Sequence, residues 1–112
     1  VKNYACVPMK ASANFAKDVQ EEQTGKYGDL FFGSDVFRGK ITNREAVGAS
    51  FTMYIDCNSA DGTKQFSGSQ YIAPQETKEI TITPMVQNGK EWKCTYDKTE
   101  GSMIDKWTIQ KK

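Results

Sequence analysis

Ser12-Ala13-Asn14-Phe15-Ala16-Lys17-Asp18-Val19-Gln20-Glu21-Glu22-Gln23-Thr24-Gly25 is the stretch on which the fold class turns. Read as a helix, it has a start, a stripe and a stop. Ser12 is an N-cap residue whose hydroxyl accepts from a free backbone N–H of the first turn. Phe15, Ala16 and Val19 then fall on one face, with Asn14, Lys17, Asp18, Glu21 and Glu22 elsewhere. Thr24-Gly25 supplies the stop, because glycine tolerates left-handed backbone after a last turn. Two features oppose this reading. Glu21 and Glu22 sit at the unfavourable end of the helix dipole, at a cost of roughly a few tenths of a kcal/mol. The stripe is also narrow and the segment short, so the helix is marginal unless it lies on a sheet.

The rest of the chain supplies strands. Val1 to Pro8 reads as a short first strand, with Tyr4 and Cys6 on one side and Pro8 ending it. Leu30-Phe31-Phe32 is a short apolar run. Val36 to Asn43 places Phe37 and Ile41 inward. In Ser50 to Asn58, Phe51, Met53, Ile55 and Cys57 alternate with Thr52, Tyr54 and Asp56. Asp61-Gly62 marks a hairpin turn, and Lys64 to Ala73 follows with Phe66 and Ile72 on one side. Glu79 to Val86 carries Ile80 and Ile82 inward, with Pro84 limiting it. Asn88-Gly89 is a second turn, leading to Glu91 to Asp97, where Trp92, Cys94 and Tyr96 share a face. Thr99-Glu100-Gly101-Ser102 reads as a further turn into Met103 to Gln110, with Met103, Trp107 and Ile109 aligned. The expectation is α+β: one N-terminal helix packed on an antiparallel meander of six or seven strands, as a single domain over residues 1–112.

Composition narrows the chemistry. Hydrophobic residues at 38% and charged residues at 26% describe an ordinary folded domain. Fifteen basic and fourteen acidic residues leave a net charge of +1. That balance is not the footprint of a dedicated nucleic-acid binder, so RNA is the lesser class of partner. No long apolar run suggests a membrane span, and the absence of Met at position 1 suggests a trimmed or mature form. Histidine is absent. Ser-His-Asp and Cys-His systems therefore lack their base, and no cofactor or metal motif is present. The expectation is a chain that is not an enzyme and takes no small-molecule substrate.

Three cysteines, Cys6, Cys57 and Cys94, allow one bridge and one leftover thiol. Cys57–Cys94 and Cys6–Cys94 close loops differing little more than twofold in length, which is worth less than about 1 kcal/mol. Context leans toward Cys6, because a terminal strand frays unless tied down, while Cys57 is comfortable as a small buried hydrophobe. Connectivity stays open on sequence alone. Exposed aromatics are the other ambiguity. Trp92, Trp107, Phe51 and Phe66 fall on inward faces and read as core, whereas Tyr54 and Tyr71 point outward or pair across strands.

Tyr4-Ala5-Cys6, the stretch from Ser12 to Gln23, Tyr27, the run Phe32-Gly33-Ser34-Asp35-Val36-Phe37-Arg38-Gly39 and the run Lys93-Cys94-Thr95-Tyr96 together resemble one family. They are similar to the ribonuclease-like secreted effectors of powdery-mildew fungi, built on a small extracellular ribonuclease scaffold. The resemblance implies a Cys6–Cys94 disulfide, a helix across a sheet, secretion, and action inside a plant cell. It implies a pseudoenzyme that binds host protein or RNA to promote virulence, and avirulence through recognition by a plant intracellular immune receptor. The loops Asn43-Arg44-Glu45 and Asn58-Ser59, Asp61-Gly62-Thr63 are the partner-binding candidates on that reading, since loops vary without cost to the core. The chain departs from the pattern in its residues after Cys94 and in lacking a proline beside Tyr27.

Two other readings compete. The first is an immunoglobulin-like β-sandwich of a bacterial envelope protein, bridged Cys57–Cys94. The second is a lysozyme inhibitor, suggested by Ser67-Gly68-Ser69-Gln70-Tyr71, which resembles a loop motif of such inhibitors. A disulfide map separates the first from the effector scaffold.

Overall fold

A computed structural model describes residues 4–28, 34–60, 62–86 and 89–111, with side chains between 10 and 105. The stretch that reads as a helix is extended. Phe15–Val19 and Glu22–Lys26 are two strands, β2 and β3, separated by a bend at Gln20 and Glu21. Ser12 caps nothing: it ends strand β1 (Tyr4–Ser12), and its hydroxyl contacts the Met103 sulfur at 3.6 Å. Thr24 and Gly25 lie inside β3. The stripe Phe15, Ala16, Val19 was too narrow to hold a helix, and Phe15 and Val19 also fit a period of two. As a strand, Phe15 meets Phe51 edge-to-face at 5.8 Å, and both Phe15 and Val19 pack against the core.

Six further strands follow: β4 (Phe37–Asn43), β5 (Ala49–Ser59), β6 (Gly62–Ile72), β7 (Thr77–Ile82), β8 (Glu91–Gly101) and β9 (Met103–Lys111). No helix occurs among the described residues, so the fold is all-β and not α+β. All pairings are antiparallel. One sheet has the order β2-β4-β7 and a second β3-β8-β5-β6, while β1 and β9 form a separate two-stranded ribbon. The ribonuclease-like arrangement is therefore absent, and the effector reading that rested on it falls.

The two larger sheets face one another over one core. Phe37, Ile41, Ile80 and Ile82 come from the first; Phe51, Met53, Ile55, Cys57, Ile72, Trp92 and Cys94 come from the second. Each of these was legible as inward by alternation. Gly39 lets the sheets approach: a Cβ there would lie 2.8 Å from the Met53 sulfur and 2.7 Å from Val19 Cγ2. On one side the chain itself crosses between sheets, because β2 and β3 are successive but belong to different ones. Gln23 closes the seam there. Its amide donates to the Arg38 carbonyl at 2.8 Å and accepts from the Arg38 N–H at 3.0 Å, standing in for a missing ladder.

The turn expected at Thr99 to Ser102 does not form. β8 runs on through Gly101, and only Ser102 separates it from β9. A register shift between Tyr54 and Ile55 sets Ile55 opposite Tyr96 and Tyr54 opposite Lys98, leaving Asp97 as the extra residue of a bulge. β9 then leaves the sandwich to pair with β1 across nine residues, from Tyr4–Lys111 to Ser12–Met103. Sandwich and ribbon together extend 71 × 24 × 17 Å. The Leu30–Phe32 run lies outside the described residues, as does the side chain of Trp107.

Cys94 is bonded to Cys57, not to Cys6. The two are direct cross-strand partners on β5 and β8, with Cα atoms 4.0 Å apart and both side chains buried. Ladder pairing with β9 holds the first strand without a disulfide, and the bond forms between two cysteines already placed side by side. The immunoglobulin pattern places its bridge between opposite sheets; here it joins neighbours in one. Replacing Cys57 and Cys94 together by alanine is expected to lower stability by about 4 kcal/mol, the loop-closure value, read from the urea midpoint. Cys6→Ser should leave that midpoint unchanged. Non-reducing peptide mapping that joins Cys6 to Cys94 would refute the arrangement.

Candidate functional site

The outward face of β3-β8-β5-β6 carries an ordered array of polar side chains. Strand alternation turns Trp92, Cys94 and Tyr96 inward and leaves Glu91, Lys93 and Thr95 outward; on β5 it leaves Thr52, Tyr54, Asp56 and Asn58 outward. Pairing lines these up in rows. Thr24, Lys93, Asn58 and Thr63 form one row across four strands, and Glu22, Thr95, Asp56 and Gln65 form the next. Polar contacts run along the rows, and one ion pair joins them. Thr63 donates to Asn58 Oδ1 at 2.5 Å, Gln65 donates to Asp56 at 3.3 Å and Asp97 at 3.0 Å, and Lys93 lies 3.5 Å from Glu22. Beyond the bulge, Thr52 and Ser69 share a hydroxyl bond of 2.7 Å, and the Lys98 ammonium stands 5.4 Å from the Tyr54 ring centre. A hydrogen bond from Lys98 to Glu100, and the charge of that carboxylate, hold the Lys98 ammonium above the ordinary lysine range.

The first row ends in a cleft of about 660 Å³, lined by Thr24, Gly25 and Lys26 of β3, Asp35, Asn58 of β5, and Glu91, Trp92 and Lys93 of β8. Asp35 shapes its rim. Its carboxylate accepts from the Lys26 N–H at 2.9 Å, and its own N–H donates to the Lys26 carbonyl at 2.9 Å. Gly25 is required beneath it, since a Cβ there would lie 2.4 Å from Trp92 Cζ2 and 2.6 Å from Asp35 Cβ. The indole therefore packs closely against bare backbone. Trp92 is 2% exposed, and its Nε1 hydrogen has no partner among the described residues. The cleft presents two ammonium groups and two carboxylates above a buried aromatic floor.

The structure separates the loops proposed from sequence. Ser59 ends β5 and Gly62 begins β6 with φ of 92°, so Asn58, Ser59, Gly62 and Thr63 lie at the cleft end; Asp61 lies outside the described residues. Asn43, Arg44 and Glu45 lie at the other end of β5, whose eleven residues span about 33 Å. Asn43 has a different job from the one proposed. It is 0% exposed, donates to the carbonyls of Val47 and Ile72 at 2.9 Å each, and accepts from the Glu45 N–H at 2.8 Å. Glu45 in turn accepts from the Asn14 N–H at 2.6 Å. Glu45 and Glu91 thus stand at opposite ends of the sheet.

Tyr54 and Tyr71 do face outward, but opposite Ser67 and Ser50, so they do not stack on one another. Tyr71 is 59% exposed. Ser67 to Tyr71, the lysozyme-inhibitor motif, lies within β6 and not in a loop. Thr24, Lys93 and Glu91 were missed. The signal was present in the phase opposite to Trp92 and Cys94, but Thr24 was hidden by its assignment to a helix.

Among the described residues no group of three or more His, Cys, Asp or Glu side chains is placed to hold a metal. Comparison with known proteins finds no matching family model, no matching curated sequence and no matching solved structure. The class that fold and surface define is a small, all-β, disulfide-bonded sandwich.

Two substitutions test the local account. Asn43→Ala removes three hydrogen bonds at a buried site and should cost roughly 2–3 kcal/mol; a change below the error of a urea titration would show that the loop holds itself. Gly25→Ala should cost about 1–3 kcal/mol through overpacking. In a Trp107→Phe background it should also shift Trp92 fluorescence to the red, and an unmoved spectrum would mean the indole is not seated on Gly25.

Proposed function

We propose that this domain is a non-catalytic binding module of an extracytoplasmic compartment, recognising a protein partner through the outward face of β3-β8-β5-β6. One observation carries the reading: the row Thr24, Lys93, Asn58, Thr63, running across four strands into the cleft beside Trp92. Hydroxyl, amide and tyrosine groups on a stiff sheet give adaptable hydrogen bonding at low entropic cost, the composition that binding surfaces favour. The buried disulfide suits an oxidising compartment. The lack of any histidine in 112 residues supports binding over acid–base chemistry.

A photo-crosslinking residue placed at Ser67 should yield a discrete protein adduct in extracytoplasmic extracts of the source cells. The same residue at Lys40, exposed on the other sheet, should not. Asn58→Arg combined with Ser67→Arg should reduce capture of that protein about tenfold or more with the thermal midpoint unchanged. Equal adducts from both positions would defeat the assignment of the face, and turnover of RNA by the pure protein would defeat the non-catalytic reading.

A further inference from the structure

The ribbon of β1 and β9 is the least supported element of the fold. Nine residue pairs join the two strands, and among the described residues no other strand is hydrogen-bonded to either. A two-stranded ribbon alone in water is marginal, and three or more strands are needed for independent stability. Elsewhere the sheet edges are short or guarded. β2 has only five residues. The edge of β3 is taken by Asp35, which exchanges bonds with Lys26 on both the N–H and the carbonyl. β6 is drawn over β7, where a Cβ at Gly68 would lie 3.1 Å from the Thr81 carbonyl oxygen.

Pro8 distinguishes the two edges of the ribbon. It lies inside β1 opposite Trp107. Having no N–H, it fits an antiparallel ladder where backbone groups point away from the partner strand. The outer edge of β1 therefore lacks a donor at its middle. The same pairing turns the backbone groups of Trp107 away from β1 and, by alternation, those of Asp105, Ile109 and Lys111. No proline interrupts β9. Its outer edge carries a full set of donors and acceptors, the template that natural proteins rarely leave open.

The order of residues along β9 says what fits that edge. We propose that β9 pairs antiparallel with β9 of a second copy of this chain, about a two-fold axis at Thr108. That register sets Asp105 opposite Lys111, Lys106 opposite Gln110, Trp107 opposite Ile109, and Thr108 opposite itself. Opposite charges, an aromatic with a β-branched residue, and paired threonines are the favourable cross-strand combinations. The pairs Asp105–Lys111 and Trp107–Ile109 also coincide with the positions whose backbone groups point outward, so the residue order and the backbone pattern select the same register. The contact is isologous and closes as a dimer, converting two ribbons into one four-stranded sheet β1-β9-β9-β1.

Thr108 meets itself at a pair without mutual backbone bonds, where Cα atoms are close enough for a disulfide. Sedimentation of the full chain should show twice the monomer mass at high concentration. In a Cys6→Ser background, Thr108→Cys should give a covalent dimer on mild oxidation, and Lys106→Cys should not. Asp105→Lys should weaken dimerisation about tenfold, as should Lys111→Asp, with the double exchange restoring it; Lys10→Ala, which removes the partner of Asp105 within one copy, should leave dimerisation unchanged. A chain that stays monomeric, with β9 amides exchanging freely, overturns the proposal and leaves this edge to a strand from a different chain. A dimer that cross-links through position 106 but not 108, or that the double exchange fails to rescue, overturns it equally. Binding at the outward face of the sandwich is read by a different assay and is untouched by any of these results.

Discussion

Cys57 and Cys94 lie side by side on the two central strands of the four-stranded sheet, and much of the molecule is arranged around that pair. β5 pairs with both β6 and β8, and β8 with β3, so every strand of this sheet takes its register directly or at one remove from the bonded residues. The period of two then carries the register into side-chain placement. Below the bond, Phe51, Met53, Ile55 and Trp92 turn into the core to meet Phe37, Ile41 and Ile80. Above it, the adjoining positions turn outward. A slip of one residue between β5 and β8 would exchange the two faces, and the covalent link forbids that slip.

Alternation made most of this readable in advance. Phe51, Met53, Ile55 and Cys57 are buried as their spacing requires, and so are Phe37, Ile41, Ile80 and Ile82. A strand buried on one face writes its orientation into its own residues. The segment from Ser12 to Gly25 writes two orientations in succession. β2 faces one sheet partner and β3 another, with the bend at Gln20 and Glu21 between them, so no single period describes it. Lys17 and Glu21 even form the ion pair of 3.0 Å that an i, i+4 helix spacing would suggest, here brought together by the bend. What decided for strands was remote in sequence: Phe51 for Phe15, Trp92 for Gly25, Arg38 for Gln23. Tertiary partners overrode a weak local preference.

Pairing partners were harder to read than strands. Glycine, serine and a charge at Thr99 to Ser102 look like a turn, and a meander would have laid β9 beside β8. The bulge at Asp97 instead lets β8 continue while shifting which residues face inward, so that Thr99 and Gly101 follow Tyr96 on the core side. Gly101 lies close against the backbone of Ala13, where a Cβ would come within 2.5 Å of the Ala13 carbonyl oxygen. That contact brings the end of β1 beside the start of β9 and commits the two to each other. Cys6 is carried away from Cys94 by the same event. The disulfide followed topology, and topology was set by a one-residue irregularity that composition does not advertise.

The same covalent bond bears on recognition. Asn58 and Lys93 are the immediate neighbours of Cys57 and Cys94 and are themselves cross-strand partners. Their separation is therefore held from beneath by a link that thermal motion of the sheet cannot lengthen. Thr24 and Thr63 extend the row on either side through ordinary ladder pairing. Gly25 contributes from below as well, by leaving room for the Trp92 ring against the strand that carries Thr24 and Lys26. A surface whose spacings are held before a partner arrives loses less conformational freedom on binding. The residues that pack the core and the residues proposed to meet a partner are thus alternate members of the same two strands, and the chemistry that locks one set sets the geometry of the other.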